Sequence, residues 1–124
     1  MYRIRQQDLH FAGSSHRFEG ADHGDVQISV FLLSALTGRG PGPHRHPYDE
    51  VQFIRSGRGR YVVDGQTFEA EAGDILVIKA GEVHAFTNIG EEPLVQVDVP
   101  MPAVLASKFS SANPAIAAVV VVLP

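Results

Sequence analysis

Cysteine is absent from all 124 residues. That removes disulfides, thiolate metal sites and cysteine nucleophiles together, and it is compatible with a reducing compartment. A basic stripe is missing too. Ten lysines and arginines stand against fourteen acids, for a formal charge of -4, and they are scattered apart from Arg55, Arg58 and Arg60 around a glycine turn. No nucleic-acid partner is expected on that distribution. The start, from Met1 to Asp8, has no apolar stretch to serve as a signal peptide, and nothing approaches the ~20 apolar residues of a membrane helix. The expectation is a soluble, cytoplasmic protein with no membrane partner. One segment stands apart: Ala115 to Leu123 is apolar and valine-rich between Pro114 and Pro124, at about half the length needed to span. It reads as a strand or buried tail, or as an edge that pairs with another subunit.

What is present is short β-branched and apolar runs, separated by glycine, proline and asparagine, with little helical periodicity. At this length they fit one domain, which buries roughly two thirds of its unfolded surface and needs no staples. The runs are Val26 to Leu36, Val51 to Arg55, Tyr61 to Val63, Thr67 to Ala70, Ile75 to Ile78, Val83 to Thr87 and Leu94 to Val99. Between the third and fourth, Asp64-Gly65 is a two-residue hairpin signal that tolerates positive φ at both positions. The fold class is therefore all-β, a sandwich or barrel over 26–100. Residues 1–25 carry His10, His16 and His23 without periodicity and read as an irregular surface arm; the alternative is that these histidines are further metal ligands. Residues 101–124 read as a tail packing on the barrel or on a partner subunit, with a short helix around Ala103 to Phe109.

Three imidazoles and one carboxylate carry the chemistry: His44, His46, Glu50 and His84. His44 and His46 are two apart. On an extended segment both rings leave one face, with Cα atoms about 6.6 to 7 Å apart, and one ion can be reached by both. Imidazole nitrogen suits Zn, Fe, Ni, Cu or Mn, and a carboxylate oxygen shifts the balance toward a divalent metal that keeps open positions. Any one of these histidines alone is also compatible with a satisfied core residue. Taken together, the four are read as ligands of one divalent transition metal, Fe, Mn, Ni or Zn.

In full, the first block runs Gly38, His44, His46, Glu50, Gly57, and the second Gly73, Lys79, Gly81, His84, Asn88. These blocks resemble the two signature motifs of the cupin superfamily, with family spacing from Gly38 to Asn88 and one departure: Lys79 stands where the family pattern has proline. The spacer 58–72 is similar to that of small single-domain bacterial cupins. The resemblance implies a jelly-roll β-barrel, a double-stranded β-helix, in which each motif supplies two strands. Strand parity then places Glu50, Gln52 and Ile54 on one face, and His84, Phe86 and Asn88 on one face. If Glu50 and His84 point at the metal, Gln52 and Phe86 are pocket residues. The same parity turns Tyr61 and Val63 inward and Arg60 and Val62 outward, provided no bulge intervenes. Lys79 reads either as an anchor for an anionic substrate or as an exposed turn lysine.

Three imidazoles and one carboxylate leave two adjacent positions free in an octahedral ion, enough for a bidentate substrate or for substrate plus O₂. The expected function is a metal-dependent oxygenase or isomerase acting on a small, partly hydrophobic enediol, diketone or phenolic compound. Glu50 would serve as ligand and proton acceptor, while Tyr48 or Gln52 would orient the substrate. The resemblance argues against the thiol dioxygenase branch, which does not retain the equivalent of Glu50 and is supported by a cysteine. Two alternatives stand: a non-catalytic small-molecule binding or sensor module, and a metal-dependent sugar isomerase, which would need a more polar lumen than Ile54, Val63 and Phe86 suggest. Small cupins are similar to one another in forming dimers, so a homodimer is expected, through Tyr2 to Arg5 or Val119 to Leu123.

Overall fold

A computed structural model of the chain describes residues 1–101. Nine antiparallel strands form two sheets: β1 (His10–Ala12), β2 (Ser15–Glu19), β3 (Ser29–Ala35), β4 (Asp49–Ser56), β5 (Arg58–Val63), β6 (Gln66–Glu71), β7 (Ile75–Ile78), β8 (His84–Asn88) and β9 (Leu94–Met101). The larger sheet has the order β1-β2-β3-β9-β4-β7, and the smaller is β6-β5-β8. This is the jelly-roll architecture expected, with the two sheets facing one another and not closed into a continuous barrel. Each of the seven apolar runs corresponds to one strand. The hairpin signal is realised as well, with Asp64 at φ 47 and Gly65 at φ 80, which sets the register Val63 opposite Gln66.

The first 25 residues correct one expectation. They are not an irregular arm, because β1 and β2 form a hairpin over Gly13 (φ 62) and β2 pairs with β3 along its whole length, from Ser15 opposite Leu33 to Glu19 opposite Ser29. Backbone hydrogen bonding to an existing sheet edge, not apolar alternation, holds this segment. Single-turn 3₁₀ segments precede and follow the hairpin, at Gln6–Asp8 and Gly20–Asp22. The tail expectations, for Ala103 to Phe109 and for Ala115 to Leu123, lie outside the described residues.

The interior is graded from apolar to polar along the strands. Leu33, Ala35, Ile54, Tyr61, Ala70, Phe86 and Leu94 form one buried cluster, in which the Tyr61 ring stacks on Phe86 and Phe68 at 5.1 and 5.7 Å between centroids. Further along β4 and β9 the inward positions turn polar. Ile54 lies opposite Gln96, Gln52 opposite Asp98 and Glu50 opposite Pro100, with all four polar side chains buried. A β-bulge between Ile54 and Ser56 does not disturb the parity of β5: Tyr61 is buried, Val63 half-buried, and Arg60 and Val62 exposed.

Candidate metal centre

The segment from Gly38 to His44 runs antiparallel along β8. Gly38 N–H donates to Asn88 O (2.9 Å), Asn88 N–H to Arg39 O (2.8 Å) and Phe86 N–H to Pro41 O (3.3 Å). His44 and His84 then close a two-hydrogen-bond antiparallel bridge at 3.0 and 2.9 Å. The bridge sets two of the histidines side by side across chains 40 residues apart in sequence (84 − 44), with ring centroids 4.1 Å apart. His46 follows, two residues on, with its ring 6.0 Å from His44 and 4.9 Å from His84. One nitrogen from each of the three lies within 4.8 Å of the others.

Which nitrogens face one another is decided by the backbone. Each Nδ1 sits against a carbonyl oxygen: His44 against Gly42 O (2.6 Å), His46 against Tyr48 O (3.1 Å) and His84 against Glu82 O (2.8 Å). A carbonyl only accepts, so Nδ1 carries the proton and Nε2 keeps its lone pair, the state a metal-binding imidazole requires. Among the described residues, Nε2 of His46 and of His84 is buried without a hydrogen-bond partner. Burial holds all three imidazoles below their ordinary pKa, with His44 lowered to about 4 by loss of solvent and by its two histidine neighbours. Three neutral imidazoles with inward lone pairs fit a transition-metal ion.

Glu50, on β4 of the opposite sheet, brings the carboxylate to the same point. Its Oε2 lies 3.7 Å from His46 Nε2 and its Oε1 3.9 Å from His84 Nε2. Burial raises its pKa, while the Gln52 hydrogen bond and the charges of His84 and Arg17 act the other way. Gln52 Nε2 donates to Glu50 Oε1 at 2.8 Å, so it fixes the orientation of that carboxylate. Tyr48 stacks flat on His46, at 4.1 Å and 3°. It backs the ring and is not among the residues lining the cavity described next. Lys79 pairs with Asp49 at 2.7 Å on the exposed rim, its side chain 64% accessible, where solvent screens the contact.

A cavity of about 400 Å³ opens onto this cluster. His44, Glu50 and Gln52 form its polar floor, and Phe31, Leu33 and Phe86 are apolar wall. Asp98 also lines it. This second carboxyl was not singled out from sequence. It is buried, its Oδ1 accepts from Gln96 Nε2 at 2.9 Å, and Gln96 in turn accepts from the Tyr61 hydroxyl. Loss of solvent and the nearby Glu50 push the Asp98 pKa well above the usual carboxylate range. The N-terminal histidines are elsewhere: His16 meets Phe11 edge-on, and His23 stacks on Phe18.

Comparison with known proteins bears on the same residues. A family model described as the cupin domain matches residues 31–100. Oxalate decarboxylase from Bacillus subtilis is 36% identical over 89 residues, covering 64% of this chain and 23% of that enzyme. Gentisate 1,2-dioxygenase from Ralstonia is 33% identical over 75 residues, covering 60% of this chain and 21% of that enzyme. The chain thus spans less than a quarter of either relative's length. Among solved structures, a Cupin 2 conserved barrel domain protein from Salinispora arenicola superposes with a TM-score of 0.70 at 19% identity, covering 91% of this chain and 97% of that one.

Proposed function

This chain belongs to the cupin family, and on that premise we propose that it holds one divalent transition metal, Fe, Mn, Ni or Zn, through His44, His46, His84 and Glu50. There it acts as an oxygenase or isomerase on a small, partly hydrophobic ligand that offers two oxygens, such as an enediol, a diketone or a phenolic compound. The observation that carries the reading is the convergence of three Nε2 lone pairs, each set by a carbonyl on the far side of its ring. A core built only for packing would not bury the unpartnered Nε2 of both His46 and His84 beside a third imidazole, since each such nitrogen costs roughly 1–3 kcal/mol of unrecovered solvation. The similarity to a decarboxylase and a dioxygenase supports the metal and leaves the substrate to the cavity.

Residue roles follow from position. When bound, the ion would supply Lewis acidity that lowers the pKa of a ligand hydroxyl. Gln52 holds Glu50 in place, and Tyr48 keeps the His46 ring from rotating. Phe31, Leu33 and Phe86 exclude water and give an apolar ligand its binding surface. Asp98, raised in pKa and facing the cavity, is suited to hold or return a proton.

The test is metal content by elemental analysis of the native protein and of His46→Ala and Glu50→Ala. Near-stoichiometric metal is expected in the native protein, with at least a tenfold weaker affinity in His46→Ala; equal stoichiometry in both variants would end the ligand assignment. Oxygen uptake with diketones, catechols and flavonols then separates oxygenase from isomerase. A loaded protein that binds such compounds and turns none over would be a binding module.

A further inference from the structure

Among the described residues, the cavity has a single lysine or arginine on its wall. Arg39 lies exposed at the mouth, and among the described residues its guanidinium takes part in no hydrogen bond, ion pair or ring contact. Its backbone, by contrast, is tightly held. Arg39 N–H donates to Leu36 O at 2.9 Å, and Arg39 O accepts from Asn88 N–H at 2.8 Å. At the next residue, Gly40, a Cβ would fall 2.0 Å from Phe86 O, so this stretch lies flush against β8. The same stretch ends in His44. The cation at the mouth and the imidazole on the floor are therefore carried by one short segment clamped to one strand.

Charge is distributed unevenly along that cavity. The floor carries two carboxyl groups, Glu50 and Asp98, and the mouth carries one positive charge. Arg39 therefore offers an anionic group on a ligand a countercharge at the mouth, apart from the floor where Glu50 would take the metal. One guanidinium with its planar pair of donors matches one carboxylate and supplies its single countercharge.

We propose that Arg39 is a specificity-determining residue that anchors a ligand carboxylate at the mouth, with the ligand's pair of chelating oxygens directed inward to the floor of His44 and Glu50. The ligand class is thereby narrowed to small cyclic hydroxyketones or phenols that carry an acid group remote from the chelating pair. This rests on the metal reading above.

Two probes isolate the contribution of the acid. Kojic acid and comenate share one hydroxypyranone chelating pair, and comenate has a ring carboxylate where kojic acid has a hydroxymethyl group. Calorimetric titration of each into nickel-loaded protein gives the ratio of their affinities, in the wild type and in Arg39→Ala, with nickel content measured alongside. Because Arg39 is exposed, Arg39→Ala is expected to fold, to keep its nickel and to bind kojic acid as the wild type does. The preference for comenate should fall at least about tenfold in that variant, the size of one charge-assisted hydrogen bond, with Arg39→Lys intermediate. Kojic acid bound by the wild type with the comenate preference unchanged in Arg39→Ala would overturn the anchor and leave the metal reading standing. No nickel, or no kojic acid bound by the loaded wild type, would overturn both.

Discussion

Each histidine of the cluster is buried and has a carbonyl at its Nδ1, and that environment has a pH signature. A histidine whose folded pKa is lowered takes up its proton later in the folded chain than in the unfolded one. For His44 the window runs from the ordinary 6.5 down to about 4. Unfolded chains bind more protons at this site across that window, so the contribution of His44 to the stability of the metal-free protein is whole above pH 6.5, declines as pH falls and levels off below about 4, while the raised carboxyls of Glu50 and Asp98 contribute with the opposite sign. His46 and His84 shift in the same direction and steepen the decline. Thermal unfolding of metal-free protein from pH 8 to 4 should show the midpoint dropping mainly inside the window. His44→Gln should flatten that dependence, and an equally steep curve in the variant would show that the slope has another origin.

Among the elements, the segment 38–44 is the one whose geometry the site depends on most. Gly40→Ala would place a methyl carbon 2.0 Å from Phe86 O, which only a backbone shift away from β8 can relieve. The expected cost is about 1–3 kcal/mol, read as a lower denaturant midpoint, together with weaker metal binding because His44 moves with the segment. Unchanged stability would mean that the segment is not seated on β8. Much of this was legible in the sequence. Parity put His44 and His46 on one face of an extended segment, the resemblance to the cupin motifs joined Glu50 and His84 to them, and Asp64-Gly65 announced its own turn. The sense of alternation in β9 was not legible. In Leu94-Val-Gln-Val-Asp-Val, the usual rule sends the valines inward, yet Gln96 and Asp98 are buried and Val95, Val97 and Val99 only half-buried. Polar residues occupy the interior there because Tyr61, on the facing sheet, and Gln96 itself supply hydrogen-bond partners, and such long-range pairing leaves no trace in local pattern. The β1–β2 hairpin escaped notice for a related reason, since its support comes from β3.

At the scale of the molecule, β7 is an edge strand of the large sheet among the described residues, and Ile75 and Val77 are each 59% accessible. An apolar edge of this kind favours association with a second copy. The homodimer expected from sequence is accordingly proposed, and light scattering at micromolar concentration should give twice the chain mass; a monomer would sink it. The placement of the site has a further consequence. Glu50 belongs to the six-stranded sheet and His84 to the three-stranded one, and among the described residues the sheets share no backbone ladder. Whatever occupies the space between those two side chains acts as a clasp between two leaves that could otherwise breathe separately. Filling the site therefore couples their local openings into one event, so that amides of β5, which contributes no residue to the cavity wall, exchange their hydrogens on the timescale of global unfolding.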